Sequence, residues 1–520
     1  MSLSRRRLLT GALALGAASA AAPLIRRAGA QPTFTGSPFT LGVASGYPLP
    51  TGVVLWTRLA PAPLQPGGGM PAEVVGVEWE IATDEGMGRV VQRGTAAATP
   101  AWAHAVHVEV DGLEPARWYW YRFRAGREVS PIGRTRTAPP ANAAVERFRF
   151  AYASCQQYEQ GYYGAHHRML ADDLDLVVFL GDYIYESSWG SDHVRKHGAP
   201  EPHTLDDYRV RHALYKSDPD LQAAHAAYPW IVTWDDHEVE NDYADDRSQY
   251  GHPREWFLAR RAAAYQAYYE HMPLRRQMVP FGPHLRLSHR IRFGSLVQFQ
   301  LLDDRQFRSP QPCAPPARGG GSSTVTAEEC AARLDPRLTL LGEGQERWLE
   351  AALDRSRARW NVIGQQSIMA QVDRKPGPGR LYWTDSWDGY PAARRRLLDF
   401  LASRKPANPV VIAGDVHSFW VNDLKPDFDD AASPVVATEI VGTSITSQFG
   451  RPEVIDAQRG DNPHVRFADG RRRGYVRVEV TPQQLRADLR AMRTVTQPRA
   501  ECDTLASFVV HDGRPGAVRV

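Results

Sequence analysis

Residues 37–137 contain short runs in which hydrophobic and polar positions alternate. Four of these runs, rich in β-branched and aromatic residues and separated by Gly or Pro turns, are residues 53–56, 74–79, 105–110 and 118–123. Alternation with a period of two is typical of strands that place one face in a core and the other in solvent. The pattern predicts a small all-β sandwich of the fibronectin or immunoglobulin type over residues 31–140.

From about residue 146 the pattern changes to nearly continuous apolar runs. Six such runs are residues 148–153, 174–180, 230–234, 296–302, 360–364 and 410–413. Strands that are covered on both faces have this composition. Helical stretches near 162–173 and at 343–359 separate some of them. The fold class predicted for residues 146–520 is therefore α/β, a layered α/β/β/α domain with mixed sheets.

The composition is that of a globular protein, with 43% hydrophobic and 23% charged residues. The formal charge of +3 comes from the N-terminus, because residues 1–30 hold five arginines and no acidic residue, which leaves −2 for the rest. A nucleic-acid partner is therefore not expected from the charge.

The first 30 residues are typical of a signal peptide. Three arginines (Arg5, Arg6 and Arg7) precede a Gly/Ala-rich apolar run to Ile25, and Ala28-Gly29-Ala30 offers a cleavage site. Twin arginines before a weakly hydrophobic segment indicate a Tat signal, so we expect the Tat export machinery as a partner. The alternative is a transmembrane anchor, which the Gly and Ala content and Pro23 disfavour. We predict a periplasmic or secreted protein with no transmembrane anchor in its mature form.

Four cysteines allow three ways of forming two disulfide bonds. Cys313 and Cys330 lie in one Pro/Gly/Ser-rich loop, and an oxidising compartment would favour joining them. Cys502 has no evident partner. Cys155 directly follows a predicted strand, which makes it a candidate for chemistry instead.

The candidate functional residues stand where the apolar runs of the second region end. Residues of metal-binding type at or just after these ends are Cys155, Asp182, Asp235, Asp236, His237, Asp303, Asp415 and His417. Each alone has a plain structural explanation, since an Asp after a strand is usually a turn residue or helix cap and an isolated Cys is usually a small buried hydrophobe. Together they favour a metal site, because ligands bind beyond the carboxyl ends of such strands and clustered carboxylates repel without cations.

The residue types favour particular ions. Asp182 and Tyr185 are three residues apart where we expect a strand to turn into a helix, so both can face one point. A phenolate suits Fe³⁺, and a thiolate from Cys155 adds charge donation. Asp236 and Asp415, with a bridging carboxylate from Asp182, offer oxygen only, which suits Ca²⁺ or another hard divalent ion. Two adjacent metals would clamp a phosphate and activate a water or hydroxide.

At these residues the sequence resembles a known family. Three segments are similar to metallophosphoesterase motifs in the form seen in PhoD-type alkaline phosphatases: Gly181-Asp182-Tyr183-Ile184-Tyr185, Asp235-Asp236-His237-Glu238 and Gly414-Asp415-Val416-His417. Residues 42–46 and 55–58 resemble the signature of that family's N-terminal domain. Residues 303–308 resemble its Leu-Asp-x-Arg-Gln segment, so the resemblance covers nearly the whole chain.

The resemblance implies a role for each matching residue. The positions that match ligands of Fe³⁺ are Cys155, Asp182, Tyr185 and His417, and those that match ligands of Ca²⁺ are Asp236 and Asp415, with Asp182 shared. His237 would contact phosphate or protonate the leaving group. Further matching positions, for a second Ca²⁺ or for phosphate contacts, are Asp235, Arg305, Asn361 and Gln366. Two departures are Tyr47, where the family usually has Asp, and Asp304, where a Thr is common.

The implied activity is hydrolysis of phosphate mono- and diesters at alkaline pH by a metal-activated water or hydroxide. The expected substrates are small phosphate esters, with phospholipids and wall teichoic-acid-like polymers as further candidates. One alternative is a phospholipase D-like phosphodiesterase, which would release choline from phosphatidylcholine. A second alternative is a catalytically inactive, metal-stabilised binding protein, which would hold metal without turning over p-nitrophenyl phosphate esters.

Overall fold

The computed structural model describes residues 33–520, and the predicted signal peptide lies outside these residues. The described residues form seven α-helices: α1 (Gly164–Met169), α2 (Leu205–Lys216), α3 (Pro219–Ala227), α4 (Arg254–His271), α5 (Glu343–Asp354), α6 (Pro391–Arg404) and α7 (Pro452–Gln458). None of these helices combines the length and the apolarity that crossing a bilayer requires.

The same part of the chain forms 24 strands. The first eight are β1 (Val43–Leu49), β2 (Gly52–Arg58), β3 (Val75–Ala82), β4 (Val90–Ala98), β5 (Ala105–Val110), β6 (Trp118–Ala125), β7 (Glu128–Val129) and β8 (Gly133–Arg136). The next eight are β9 (Phe148–Ala153), β10 (Leu176–Leu180), β11 (Pro229–Thr233), β12 (His289–Phe293), β13 (Val297–Leu301), β14 (Thr324–Thr326), β15 (Trp360–Gly364) and β16 (Leu381–Trp383). The last eight are β17 (Pro409–Ala413), β18 (Phe419–Leu424), β19 (Ala437–Val441), β20 (Val465–Asp469), β21 (Gly474–Val480), β22 (Gln484–Met492), β23 (Cys502–His511) and β24 (Arg514–Arg519).

Two large mixed sheets organise most of the chain. One has ten strands in the order β24-β23-β22-β21-β9-β10-β11-β1-β2-β5, and the other has seven in the order β12-β13-β15-β17-β19-β18-β20. The central strands of each sheet are parallel, which gives each sheet an edge where carboxyl ends meet. The sheets pack face to face, with the rings of Phe150 and Phe299 5.1 Å apart.

Helices cover the outer face of each sheet. On the first sheet, His225 of α3 stacks on Trp230 of β11 with ring centroids 3.9 Å apart. On the second, Leu349 of α5 and Leu398 of α6 join the same apolar cluster as Val411 of β17. This arrangement confirms the predicted α/β/β/α layers with mixed sheets.

Residues 37–137 are rich in strands, and one layer of them continues the ten-stranded sheet. β1 pairs in parallel with β11, Ser45 lying opposite Pro229. On β2, Leu55 faces an apolar cluster shared with the five-stranded sheet of β3, β4, β6, β7 and β8. Trp56 faces the opposite way, and its Nε1 donates to Glu270 O at 3.0 Å. β2 is therefore buried on both faces, while the domain boundary near residue 140 stays a prediction.

The helix that we expected after Asp182 is absent, and this part of the prediction is wrong. Asp182 has a φ of 55°, and residues 183–190 form bends and irregular backbone. Side chains take up the backbone donors that would begin a helix. Glu238 accepts from Tyr183 N at 2.6 Å, and the Tyr215 hydroxyl accepts from Tyr185 N at 3.0 Å.

Candidate active site

Sharp turns at the strand ends place the predicted ligands. Cys155, Asp182, Asp415 and His417 have φ values of 59°, 55°, 64° and 52°, in the left-handed region that residues other than Gly rarely adopt. Such conformations cost free energy and cluster at functional sites. Here each turn directs a polar side chain back toward the edge where β9, β10 and β17 end.

The four predicted iron ligands lie together. Ligand atoms of Cys155, Asp182 and His417 are all within 4.8 Å of one another. The Tyr185 hydroxyl lies between two of them, donating to Asp182 Oδ2 at 2.7 Å and lying 3.2 Å from His417 Nε2. His417 Nδ1 is 2.9 Å from the Gln448 carbonyl, so this nitrogen carries the proton and Nε2 is left with its lone pair.

A second group of potential ligands shares Asp182 with the first. Ligand atoms of Asp182, Asp236 and His237 lie within 4.8 Å of one another, and Asp415 lines the same cleft. Asp182 Oδ1 and Asp415 Oδ2 are buried without a hydrogen-bond partner in residues 33–520. Burial raises the pKa of Asp415 to about 8 and that of Asp182 well above its ordinary value. These carboxylate oxygens without partners are suitable ligands for multivalent cations, which would keep the carboxylates ionised.

A nearby cation would also favour the ionised forms of the Cys155 thiol and the Tyr185 phenol. Burial raises the pKa of the Cys155 thiol well above its ordinary value, and the nearby Asp182 carboxylate raises it further. Burial and Asp182 act in the same way on Tyr185. Both groups can serve as anionic ligands at this position once a metal ion supplies the opposing charge.

The surroundings of His237 favour its protonated form. Its Nδ1 lies 2.6 Å from Glu186 Oε2. Burial by itself would lower the pKa of His237, but the carboxylates of Glu186, Asp182 and Asp236 outweigh it and raise this pKa well above the ordinary value. The imidazolium is therefore able to contact phosphate or to donate a proton to a leaving oxygen.

These groups form the floor of an open cleft of about 650 Å³. Aromatic side chains of Trp189, Trp383 and Trp420 form parts of its walls, and Arg318 and Arg374 bring positive charge. The Trp189 ring stacks on His417 with centroids 5.6 Å apart. The cleft can admit a substrate considerably larger than one phosphate group.

Comparison with known proteins places this geometry in a family. A sequence model described as "PhoD-like phosphatase" matches residues 150–489. A second, described as "PhoD-like phosphatase, N-terminal domain", matches residues 25–139. The chain belongs to the PhoD-like phosphatase family.

One relative by sequence and one solved structure support this family assignment. This PhoD-like phosphatase is 48% identical over 531 aligned residues to alkaline phosphatase D of Bacillus subtilis (strain 168), an alignment that covers 99% of this chain and 89% of the relative. A solved structure titled "Structure of PhoD" superposes with a TM-score of 0.88 at 48% identity, covering 94% of this chain and 93% of that one. The resemblance drawn from the motifs is thus confirmed, and the protein is a phosphoric ester hydrolase.

Arg305, which the motif suggested as a phosphate contact, has carboxylate partners in this PhoD-like phosphatase. It is fully buried and bonds Asp235 Oδ1 through Nε and Asp385 Oδ1 through Nη1 at 3.1 Å. Its Nη2 is 3.6 Å from Asp236 Oδ2. Arg305 therefore borders the ligand cluster and neutralises its neighbours.

The further metal positions that the motif implied have protein partners as well. Asp235 bonds Arg305 and belongs to none of the ligand groups found in the described residues. The Gln366 amide donates to Thr233 Oγ1 at 2.8 Å and to Trp234 O at 2.6 Å, tying the two sheets together. Asn361 lies near the amino end of β15, away from the carboxyl edge, and donates to Ala407 O at 2.7 Å.

Reasoning from the sequence missed two acidic residues of the site. Ligand atoms of Asp236, Asp242 and Asp385 lie within 4.8 Å of one another. Asp242 N donates to Asp236 Oδ2 at 2.6 Å, and burial together with Asp385 and Asp236 raises the pKa of Asp242 to about 6. Asp242 follows no apolar run, and its only signal is its place six positions after Asp236. Asp385 comes two positions after the short run Leu381-Tyr382-Trp383, which is three residues long and is not among the predicted strands.

The two departures from the family pattern are accommodated in the core. The Tyr47 hydroxyl donates to Val232 O at 3.0 Å, on the body of β11. Asp304 is buried and accepts from Ser367 N at 3.3 Å, with Arg308 Nη2 3.6 Å away. Neither residue belongs to a ligand group among the described residues.

Proposed function

We propose that this protein hydrolyses phosphate monoesters and diesters at a site that holds Fe³⁺ and Ca²⁺. The observation that carries the proposal is the sharing of Asp182 by two adjacent groups of buried ligands. When bound, such ions would bind the phosphate oxygens, lower the pKa of a coordinated water and stabilise charge on the leaving oxygen.

The types of ligand atom indicate which ion each group of residues would hold. The residues that would hold Fe³⁺ are Cys155, Asp182, Tyr185 and His417, because thiolate and phenolate suit a small trivalent ion. Asp182, Asp236 and Asp415 would hold Ca²⁺ through oxygen alone. Other divalent metals are the competing occupants of the second position.

His237 supplies the proton in this proposal. Glu186 holds its Nδ1, which leaves Nε2 to face the cleft that the ligand groups line. A protonated imidazole there would donate to the oxygen of the departing alcohol as the bond to phosphorus breaks.

The cleft also favours a second candidate activity, that of a phospholipase D-like diesterase. Its lining includes Ile368, Val372, Phe449 and Val454, which would suit an apolar substituent on the phosphate. Release of choline from phosphatidylcholine vesicles would support this activity, whereas turnover of water-soluble esters alone would exclude it. The alternative of an inactive binding protein is disfavoured by the complete set of ligand types.

The proposed location is outside the cytoplasm, in the periplasm or secreted, after Tat export. The Cys313–Cys330 disulfide, with Cα atoms 5.9 Å apart, supports an oxidising compartment. Cys155 and Cys502 are free, which leaves Cys155 available as a ligand. N-terminal sequencing of protein recovered outside the cytoplasm tests this location, and we expect it to begin at Gln31.

Elemental analysis paired with mono- and diester assays tests the activity and the metals together. Cys155→Ala should lose iron and activity in parallel while the fold survives. Cys502→Ala is the matched control, because Cys502 is the other free cysteine of the described residues and belongs to no ligand group. Full phosphatase activity in Cys155→Ala would show that the thiolate assignment is wrong.

A further inference from the structure

Two arginines line the cleft, Arg318 and Arg374, and neither has a carboxylate partner in residues 33–520; Arg318 is exposed, whereas Arg374 is half-buried. Arg374 lines the same cleft as Asp236 and Asp415. Within residues 33–520 its guanidinium makes no ion pair, and its side chain donates no hydrogen bond. The carboxylates of Asp388 and Asp415 act on it only from a distance, and burial, which is the larger influence, lowers its pKa.

Other shielded arginines near the site behave differently. Arg308 pairs with Asp385 at 2.7 Å, and Arg394 pairs with Asp388 at 2.6 Å. A half-buried guanidinium ordinarily has such a partner, because removing its charge from water is unfavourable without one. The guanidinium of Arg374 is thus available to an anion that enters the cleft.

The position of Arg374 is fixed in advance. Its guanidinium lies 4.8 Å from the centroid of the Trp383 ring. Its backbone N donates to Leu381 O and its carbonyl accepts from Gln458 Nε2, each at 2.8 Å. A guanidinium held in this way loses little conformational entropy when it binds an anion.

The surroundings increase the effect of this charge. Ile368, Val372 and Trp420 line the same cleft. Apolar walls lower the local dielectric constant, which strengthens the attraction between a guanidinium and an anion.

We propose that Arg374 binds a second anionic group of the substrate, one carried by the leaving alcohol or by the next unit of a phosphodiester. The site then prefers substrates with two separated negative charges to esters of uncharged alcohols. This inference rests on the proposed function, since it assumes that a phosphate ester occupies the metal-binding floor of the cleft.

The experiment compares an alkanediol bisphosphate with the alkyl monophosphate of the same chain length, over a series of chain lengths, using the metal-loaded enzyme. We expect kcat/KM to favour the bisphosphate by about tenfold at the chain length that spans the two positions, because a charge-assisted hydrogen bond is worth about that factor. Arg374→Gln should remove this preference, and Arg374→Lys should retain part of it. High salt should also reduce the preference, mainly through KM.

Arg380→Gln is the matched control, because Arg380 lies on the same segment but is exposed and pairs with Asp429 at 2.7 Å. It should leave the preference unchanged. Equal losses on both substrates in Arg374→Gln would overturn the inference, since they would mean that Arg374 contacts the phosphate that reacts. Absence of preference at every chain length in the native enzyme would overturn it too. Failure to hydrolyse either substrate would instead count against the proposed function.

Discussion

Two groups of buried carboxylates lie side by side at the strand ends, and they differ in what balances their charge. In the arginine-balanced cluster (Asp235, Asp304 and Asp385 with Arg305 and Arg308), guanidinium groups of the chain meet the carboxylates directly. In the ligand cluster (Asp182, Asp236 and Asp415 with Cys155, Tyr185 and His417), buried oxygens of Asp182 and Asp415 have neither a hydrogen bond nor an ion pair in the described residues, whereas the oxygens of Asp304 and Asp385 that lack a hydrogen bond lie within 4 Å of a guanidinium. In the first cluster, arginines of the chain balance the negative charge. In the second, the balancing cations would be metal ions taken up from solution.

Asp236 connects the two clusters. Burial by itself would raise the pKa of Asp236, but Arg305 and His237 hold it at about 2. At Asp415, burial outweighs the lowering effect of Arg305, with Asp385 and Asp236 adding to the rise, and the pKa reaches about 8. One carboxylate is therefore ionised before any metal arrives, while the other becomes ionised as a metal binds.

The largest expected effect comes from removing the shared ligand. Asp182→Asn should lower kcat/KM for p-nitrophenyl phosphate on the order of 10⁴-fold, because both ligand groups lose a charge that no neighbour can replace. Metal content measured on the same preparation should fall with it. Asp304→Asn, in the arginine-balanced cluster, should keep the metals, and comparable metal loss in both variants would break the distinction between the clusters.

In the arginine-balanced cluster, we expect a mutation to change the stability of the fold, and not primarily its metal content. Arg305→Met should destabilise the fold by about 3–5 kcal/mol, because it leaves Asp235 buried without its partner and Asp385 with Arg308 alone. Denaturant unfolding measures this change. Arg347→Met is the control, since Arg347 and its partner Glu343 are both well exposed and 3.2 Å apart, and it should change stability by less than about 0.5 kcal/mol. An equal effect in the two variants would contradict our account.

A smaller effect is expected from changing the surroundings of His237, whose protonated form neighbouring carboxylates favour. Glu186→Gln removes the largest influence that raises the pKa of His237, so this pKa should fall. The protonated fraction of His237 then decreases at alkaline pH, and kcat/KM there should drop about tenfold with its high-pH limb moved to lower pH. A pH–rate profile measures the shift. A uniform loss at every pH would show that Glu186 acts on something other than this proton.

The sequence could predict one cluster better than the other. Each ligand at 155, 182 and 415 follows an apolar run, and the common edge of parallel strands brings such residues together, so local pattern and topology suffice. Arg305 follows the run 296–302 just as closely, yet its partner Asp385 is 80 residues away in a loop. Pairing between a strand end and a distant loop leaves no trace in local periodicity.

The fold shows the same division. The layers and most strands were predictable because burial on one or two faces determines the hydrophobic period. The continuation of the main sheet through β1 and β2 was not, since it depends on Ser45 meeting Pro229 far along the chain. The missing helix after Asp182 likewise depends on Glu238, a side chain more than 50 residues away that accepts the backbone donors.

The smallest expected effect concerns a cation buried without a carboxylate, the converse of the ligand cluster. Lys216 is buried, its Nζ donates to the Tyr183 hydroxyl at 3.3 Å, and it lies 4.4 Å from the centroid of the Trp56 ring. Burial lowers the pKa of Lys216 from 10.5 to about 7. Between these two values the unfolded chain binds more protons at this residue than the native state, so its contribution makes the free energy of unfolding rise with pH.

Lys216→Met should therefore stabilise the protein by about 1 kcal/mol at pH 7 and below, because the apolar side chain fills the same space without a desolvated charge. The gain should shrink as pH increases from about 7 and vanish above 10.5, where Lys216 is neutral in both the folded and the unfolded state. Denaturant unfolding across this range measures it, with the exposed Lys196→Met as the control that should follow the native curve. A gain that stayed constant with pH would mean that Lys216 is charged in the native state at every pH tested. An anion would then have to lie close to Lys216, and Lys216 would no longer be an example of a buried cation without a carboxylate partner.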